Sequence, residues 1–353
     1  MALPTTLATP IGGPPTSKRP TLNDIARDLG VSRATISNVF NHPELVAAPM
    51  LERILAHANA VGYYGPDPMA RALRRKDLQE VAVVFHHDLR YALNDAQSIQ
   101  FLRGVASALD KRHLALQLIP KMGRRSLMPA AFQTTADAII VHAILTQELV
   151  PQVKAIRKPV VLVDTFVEGI ATVSINDERG AYEAMRHVLS HRPEHVVGVC
   201  LPVGKDEWSR IFNDAQGFHS GIVGGARLSG YLRALLDDRY PLEQVTWIEV
   251  GDGEPESAAS DVLRIFESHK ESGKVGMVCM SDRIALAIMQ AMKSQNLPLP
   301  LSLVGYDGIP EAATAGLTTI FQDSYRKGEE AVRSVLDGAG SILLPVKLVV
   351  RNT

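Results

Sequence analysis

The side chains with the clearest chemistry lie near the N-terminus, where basic residues outnumber acidic ones. Between Ser17 and Lys76 there are nine Lys or Arg residues and five Asp or Glu residues, a local charge of +4 in a chain whose formal net charge is −1. Lys and Arg bind the phosphates of nucleic acids, and this uneven distribution is typical of a nucleic-acid-binding module joined to a separate, acidic domain. This segment is therefore the first candidate for a binding surface.

Motifs that would support catalysis are incomplete. The segment VGVCLPVGKD resembles a phosphate-binding loop, but its spacing is one residue too long and Asp206 stands where Ser or Thr would hold magnesium. His86 and His87 precede Asp88, yet neighbouring residues of a strand point to opposite faces, and no Cys pair or zincin motif accompanies them. The sequence predicts no enzyme, no metal and no cofactor. A sugar kinase with an added N-terminal module is the strongest enzymatic alternative.

The basic segment has the spacing of two short helices joined by a tight turn. Thr21 can cap the first helix, Asp24 lies where a negative charge meets the positive helix end, and Gly30 allows a left-handed ending. Ser32 can cap a second helix over residues 33–40, and this pair forms a helix-turn-helix. The inward face of the second helix consists of Ile36, Val39 and Phe40. A third helix over residues 49–61 has a packed stripe of Leu51, Ile54, Leu55 and Ala58.

The segments TLNDIARDLGVSRATISNVFN and ILAHANAVGYYGPDPMARALRR resemble the headpiece and hinge of the lactose-repressor (LacI/GalR) family. The resemblance resumes in the body and covers essentially everything after the first sixteen residues. It implies that the second helix enters the major groove of operator DNA, with Arg33, Ala34 and Asn38 at the base-reading positions. Arg33 can pair with guanine or bind a phosphate, Ala34 offers a methyl contact, and Asn38 suits adenine. The other expected headpiece contacts are Thr21, Ser32, Thr35, Ser37 and Asn41.

The headpiece departs from the family pattern at three places. Asn38 stands where the family commonly has Arg, so the operator half-site is expected to differ from the commonest family sequence. Ala47 and Ala48 replace the Ser or Thr that usually caps the third helix, and one extra residue lies within residues 62–65. For the hydroxyl side chains among the expected contacts, helix capping is the alternative to phosphate binding.

Residues 64–78 resemble the family's hinge, a short helix with too few turns to be stable alone. In the family it folds when two subunits meet over the minor groove, where its Leu wedges between base steps and kinks the DNA. The matching residues here are Met69, Arg71 and Leu73, and packing on the body is the alternative for Leu73. The resemblance implies a homodimer on a pseudo-palindromic operator, and we expect no tetramer because no heptad tail follows the last predicted strand.

From Glu80 onward, apolar runs rich in Val, Ile and Leu alternate with amphipathic helical stretches. Such runs predict parallel strands covered on both faces, and about 270 residues are too many for one open sheet. We expect an α/β body of two similar lobes with a ligand cleft at the carboxyl ends of the strands. This resembles the periplasmic-binding-protein-like fold of the same family. The predicted strands cover residues 81–85, 114–119, 138–142, 160–164, 196–201, 245–250, 275–280, 301–306 and 346–350.

Motifs of the body match the family in order. The segment ARLSGYLRAL has the Arg-x-x-Gly-aromatic pattern, CMSDRIALAIMQAM has the acid before a helix, and LVGYDGIP, LTTIFQD and LPVKLVVR follow. The family uses that Arg and that acid to bind effector hydroxyls, which implies Arg227 and Asp282 here. From the first lobe or the crossover between lobes we expect His142, Asp164 and Gln322. Helix caps or a salt bridge are the alternative for Arg227 and Asp282.

Two segments that would line the cleft depart from the family. HHDLRYALNDAQSIQFLRG lacks the usual Asn-Pro-aromatic-aromatic turn, and GKDEWSRIFNDAQGFHSGIVGGA is longer than expected. Trp208 in the second segment could stack on a sugar or cover a lobe surface. The resemblance implies a transcription regulator, more commonly a repressor, whose operator affinity is controlled by a sugar or related polyhydroxylated metabolite. A regulator that needs no effector is the alternative, and the sign of an effector response stays open.

The sequence therefore predicts an all-α helix-turn-helix headpiece followed by a two-lobed α/β body. The expected parts are a disordered arm over 1–16, a headpiece over 17–63, a hinge over 64–78 and the effector-binding and dimerisation body over 79–353. The expected crossovers between lobes lie near residues 175, 322 and 340. With no long apolar run and no signal-peptide features, we expect a cytoplasmic protein without membrane contact. Cys200 and Cys279 are expected to be buried thiols.

Overall fold

Two compact units make up the chain, Met1–Asp77 and Leu78–Thr353, and each has a hydrophobic core of its own. The computed structural model describes residues 21–41, 43–61, 63, 79–85, 89–119, 134–142, 150–201, 203, 223–250, 259–264 and 274–353. Among these residues, none of the helices has both the length and the apolar composition of a membrane-spanning segment.

The described part of the first unit contains helices α1 (Leu22–Leu29), α2 (Arg33–Asn41) and α3 (Ala48–Val61). Their core consists of Ile25, Ala26, Ile36, Val39, Ile54, Ala58 and Tyr63. The predicted helix-turn-helix headpiece is confirmed. The prediction that Leu55 packs inward is wrong, because its side chain is 37% exposed. It follows Ile54 directly, and a step of one residue turns a side chain about 100° away from the buried row.

The capping residues predicted for α1 explain where this helix begins and ends. The Thr21 hydroxyl accepts a hydrogen bond from the Asp24 amide at 3.4 Å, and the Asp24 carboxylate accepts one from the Thr21 amide at 2.9 Å. This reciprocal capping box satisfies two amides that a helix start leaves free. At the other end, Gly30 has a φ of 66°, a left-handed conformation that glycine adopts without steric cost.

The second unit is built on two six-stranded sheets. The sheet of lobe A contains β1 (Glu80–Phe85), β2 (Ala115–Ile119), β3 (Ala138–His142), β4 (Val160–Val163), β5 (Ala171–Ile175) and β11 (Ile342–Leu344). The sheet of lobe B contains β6 (His195–Cys200), β7 (Val245–Glu249), β8 (Val275–Cys279), β9 (Ser302–Asp307), β10 (Thr318–Gln322) and β12 (Val346–Val349). Their orders are β11-β5-β4-β3-β1-β2 and β12-β10-β9-β8-β6-β7, and every pair is parallel except β10 with β12.

Helices cover the two sheets and connect the strands. They are α4 (Leu89–Ala92), α5 (Ala96–Asp110), α6 (Val150–Lys154), α7 (Asp177–Ser190), α8 (Val223–Asp237), α9 (Asp282–Ser294), α10 (Pro310–Thr314) and α11 (Ser324–Asp337). Helices α5 and α11 pack together on lobe A, and α7 and α8 pack together on lobe B. The chain passes from one lobe to the other after β5, β10 and β11, so the carboxyl ends of these three strands meet at the junction of the lobes.

The nine predicted strands lie within one residue of the observed ends. The sequence-based prediction did not include β5, β10 or β11. In β5 and β10, Thr, Ser and Gln side chains interrupt the apolar run (ATVSI and TTIFQ), and β11 has only three residues. All three are the strands at whose ends the chain changes lobe. The predicted two-lobed α/β body is confirmed.

Candidate functional site

The start of α2 presents the side chains that are predicted to read bases. Arg33 and Ala34 are exposed at this end of the helix, and Asn38, one turn further on, is half-buried. The opposite face carries Ile36 and Val39 into the core of the unit. One face of α2 is therefore anchored in the core while the opposite face is accessible. Contacts of the accessible residues with DNA stay a prediction.

The hydroxyl side chains around α2 have partners within the headpiece. The Ser32 hydroxyl accepts a hydrogen bond from the Thr35 amide at 3.0 Å, and the two hydroxyls are 2.8 Å apart. The Thr21 hydroxyl donates to the Asp24 carboxylate at 2.7 Å. Ser37 is half-buried, and Asn41 ends α2. The predicted hinge residues Met69, Arg71 and Leu73, and also Trp208 of the body, lie outside the described residues.

In the body, Arg227 of α8 is buried at the junction of the lobes with 4% of its surface exposed. Its Nε donates to Oδ1 of Asp177 at 2.7 Å, and one Nη donates to the Met280 carbonyl and lies 3.7 Å from Oδ1 of Asp307. The guanidinium also lies 3.6 Å from the centre of the Tyr306 ring. Burial disfavours the charge, but these neighbours, Asp177 above all, outweigh burial and raise the pKa of Arg227.

Asp282 begins α9 and is fully buried. Its Oδ2 accepts hydrogen bonds from the amides of Gly308 and Ile309 at 2.7 and 3.0 Å, and its Oδ1 accepts one from the Thr319 hydroxyl at 2.6 Å. Burial raises the pKa of Asp282 to about 6 although these donors favour the charged form. Asp282 follows β8, so its described contacts tie the carboxyl ends of β8 and β9 to the start of β10.

A chain of charged and amide groups connects the ends of β4 and β9. Asp164 follows β4 with a φ of 54°, and its two carboxylate oxygens accept hydrogen bonds from Nζ of Lys327 at 2.8 and 2.7 Å. Lys327 also donates to Oε1 of Gln322 at 2.8 Å, and Nε2 of Gln322 donates to Oδ1 of Asp307 at 2.7 Å. Two of the predicted ligand residues, Asp164 and Gln322, thus share one lysine.

Three residues of this cluster were absent from the sequence-based prediction: Asp177, Asp307 and Lys327. Asp177 and Asp307 stand where β5 and β9 end, and an acid after a predicted apolar strand was a usable signal. Lys327 lies on the face of α11 that carries Gly328 and Ala331 into the core. Its helical register was therefore also a signal, since a polar residue on an apolar face requires a buried partner.

His142 has a different environment from the other predicted ligand residues. It ends β3, and its ring lies 5.6 Å from that of Phe85 and 4.7 Å from that of Phe101, between ring centres. Burial lowers the pKa of the imidazole and so favours its neutral form. The aromatic contacts fix its orientation at the carboxyl edge of the sheet of lobe A.

A cavity of about 370 Å³ opens between the lobes beside these groups. Carboxylates and hydroxyls form one part of its lining, with Asp164 of lobe A close to Asp177 and Glu178 of α7. The other part is apolar and includes two side chains with large exposed fractions, Phe166 at 67% and Leu343 at 63%. Arg227 directly follows Ala226 of the lining and donates a hydrogen bond to Asp177, so it lies behind the carboxylate part of the cavity wall. Such a cavity can hold a small molecule that offers hydrogen-bond donors and an apolar face.

Known protein families match both units of the chain. A model described as bacterial regulatory proteins, lacI family, matches residues 21–65. A model described as periplasmic binding protein domain matches residues 124–339. An HTH-type transcriptional regulator of Mycobacterium tuberculosis is 30% identical over 328 residues, which cover 90% of this chain and 90% of that relative.

Solved structures share the fold at lower identity. The Lac repressor dimer bound to operator and the anti-inducer ONPF has a TM-score of 0.72 and 22% identity, over 95% of this chain and 99% of that chain. The complex of the transcriptional regulator CelR with cellobiose has a TM-score of 0.62 and 21% identity, over 94% and 99%. Both likenesses extend over the headpiece and the two lobes.

Proposed function

The chain belongs to the LacI family of bacterial regulatory proteins and is a transcription regulator rather than an enzyme, and from this premise we propose that it is an effector-controlled repressor. The proposed effector is a sugar or related polyhydroxylated metabolite bound between lobes A and B. The observation that carries this proposal is the cavity between the lobes, lined by Asp164 and Asp177 and backed by Arg227, in a chain that also has a helix-turn-helix. The protein would act in the cytoplasm, where its operator lies.

The chemistry of the cavity favours a hydroxylated ligand. Carboxylates that are already paired with cations keep free lone pairs, so they can accept hydrogen bonds from hydroxyl groups. The apolar surface of Phe166 and Leu343 suits the apolar face of a sugar ring. The structural neighbour CelR is described in complex with cellobiose, which supports the same class of ligand for this chain by analogy.

For the headpiece we propose major-groove contacts from Arg33, Ala34 and Asn38 of α2. The hinge residues Met69, Arg71 and Leu73 would contact the minor groove, with Leu73 as the wedge. Two such headpieces in a homodimer would read a pseudo-palindromic operator. The proposed direction of control is release of the operator by the effector, through a change of the angle between the lobes. By linkage, DNA must then weaken effector binding by the same factor.

The DNA-binding part of the proposal is tested with the full-length protein. Selection from a random duplex library should return a two-fold symmetric motif, and Arg33→Ala should lower the affinity for that motif at least tenfold, the effect of losing one base or phosphate contact. Arg103→Ala removes the same charge from an exposed position on α5 of the body and should leave the affinity unchanged. Selection of no motif, or an equal loss in both variants, would contradict the proposal.

The effector part is tested by thermal shift with sugars, sugar alcohols, sugar phosphates, nucleosides and purine bases. A ligand at a hundred times its Kd stabilises the folded body by about 2.7 kcal/mol. A compound that raises Tm should also lower operator affinity, and Arg227→Met should lose this response while operator binding without ligand persists. An operator affinity that no stabilising compound changes would favour the effector-independent regulator.

A further inference from the structure

We propose that Lys327 is the positioning residue of the ligand site and that it couples the two lobes. It holds the carboxylate of Asp164 at the cavity and the amide of Gln322 at the crossover after β10. Through Gln322 it joins lobe A to Asp307 and Arg227 of lobe B. The consequence for ligand control rests on the proposed function, whereas the coupling itself is a property of the fold.

The ammonium group of Lys327 is buried, and each of its three N–H donors has an acceptor. The residue is 2% exposed, and its Nζ has three acceptors, the two oxygens of Asp164 and Oε1 of Gln322, all within 2.8 Å. An ammonium has three donors and no acceptor, so this set satisfies it completely. Because a buried charge without partners is costly, Lys327 and its three acceptors form one unit that moves together or is broken together.

Lys327 determines the orientation of the side-chain amide of Gln322. Since Lys327 can only donate, the amide must turn its oxygen to the ammonium and its nitrogen to Oδ1 of Asp307, where the distance is 2.7 Å. Gln322 ends β10 of lobe B, and Lys327 belongs to α11, which packs on the sheet of lobe A. The amide therefore transmits an orientation set in lobe A to a carboxylate of lobe B.

Beyond Gln322, the contacts continue through lobe B. Asp307 has a φ of 118°, its carboxylate lies 3.7 Å from Arg227, and its carbonyl accepts a hydrogen bond from Gln97 of lobe A at 3.0 Å. Arg227 donates in turn to Asp177. The series begins and ends at carboxylates that line the cavity, Asp164 and Asp177. A ligand donor that binds Asp164 would therefore perturb the Lys327 contacts, and the perturbation would reach the opposite wall.

The coupling can be measured without operator or effector, by amide hydrogen exchange of the full-length protein. Lys327→Met removes the ammonium, and Gln322→Met removes only the amide bridge and leaves the Asp164–Lys327 pair in place. Each variant is measured in the opposite lobe. Lys327→Met of lobe A should increase exchange of the Gly308 and Ile309 amides of lobe B, and Gln322→Met of lobe B should increase exchange of the Asp164 amide of lobe A, which donates to the Val173 carbonyl. Both increases should be about tenfold, a size typical for coupled neighbours. If Lys327→Met does not fold, the Gln322→Met result decides alone.

The matched control is Lys111→Met, which removes the ion pair between Lys111, the residue after α5, and Glu329 of α11 on the exposed side of lobe A. This variant should leave exchange in lobe B unchanged. The proposal is overturned if exchange after Gln322→Met changes only in lobe B, or if Lys111→Met produces the same change in lobe B as Lys327→Met. Neither result bears on DNA binding, so the coupling and the proposed function can fail independently.

Discussion

At the scale of single residues, burial sets the protonation of the carboxylates between the lobes. Desolvation raises the pKa of Asp307 to about 7, although Arg227 and Gln322 favour its charged form. In the unfolded chain the ordinary value of about 3.8 applies. The folded protein therefore binds more protons than the unfolded chain between these two values, and the contribution of Asp307 to stability falls as pH rises from about 4 to about 7.

We predict that Asp307→Asn, which cannot ionise, removes this pH dependence. The Tm of the variant relative to that of the wild type should rise between pH 5 and pH 7 and stay constant above pH 7.5. Differential scanning fluorimetry of both proteins across this range measures it. Asp282→Asn serves as the comparison. Because the pKa of Asp282 is about 6, the Tm of this variant relative to that of the wild type should stop rising about one pH unit lower than for Asp307→Asn. A wild-type curve parallel to that of Asp307→Asn would show that Asp307 is ionised throughout.

The same residues show how far the sequence predicts the site. Arg227, Asp164 and Gln322 follow from family motifs, and the structure brings them into one cluster of hydrogen bonds and ion pairs. Lys327 does not follow from any motif, because its meaning depends on Asp164, which is 163 residues away. The order of the strands in the sheets determines which distant residues become partners. A single sequence therefore does not show which acid pairs with a buried lysine.

At the scale of elements, each lobe depends on a close helix pair that meets at a glycine. A Cβ on Gly104 of α5 would overlap the carbonyl of Tyr325 on α11, and one on Gly230 of α8 would overlap the carbonyl of Glu178 on α7. In both pairs the obstacle is backbone, which cannot move aside as a side chain can. Nine of the twelve described strands were predictable because their apolar runs are continuous, whereas these crossings depend on which helices become neighbours.

We predict that Gly104→Ala destabilises the body. Alanine improves helix propensity by about 1 kcal/mol, but overpacking against a backbone costs about 1–3 kcal/mol or more, and separation of α5 from α11 also weakens the contacts of the Phe101 face. The net effect should be a lower free energy of unfolding in urea, by about 1–2 kcal/mol. Arg103→Ala, an exposed neighbour on α5, should change it by less than about 0.5 kcal/mol. Equal urea midpoints for Gly104→Ala and the wild type would mean that α5 and α11 can move apart without a loss of stability.

At the scale of the whole molecule, the hydrophobic cores decide which parts unfold together. One core cluster runs through both lobes and includes Val83 and Ile140 of lobe A, Met185 of α7, and Val304 and Ile320 of lobe B. The first unit has a separate and much smaller cluster between Ile25 and Tyr63. A core that is shared across the crossovers should make the lobes interdependent, while the headpiece depends on its own few contacts.

We therefore predict two unfolding transitions for the full chain rather than three. The headpiece should lose protection first, because a small unit buries a smaller share of its surface than a large one. Lobes A and B should then lose it together. Hydrogen exchange at increasing urea concentration can follow peptides of α1, of β3 in lobe A and of β9 in lobe B within one experiment. Coincident midpoints for β3 and β9 are the expected result, and separate midpoints would contradict a shared core. The same experiment on Lys327→Met tests the charged contacts between the lobes. If the midpoints of β3 and β9 coincide in the wild type but differ in this variant, these charged contacts, rather than the apolar core, hold the two lobes in one cooperative unit.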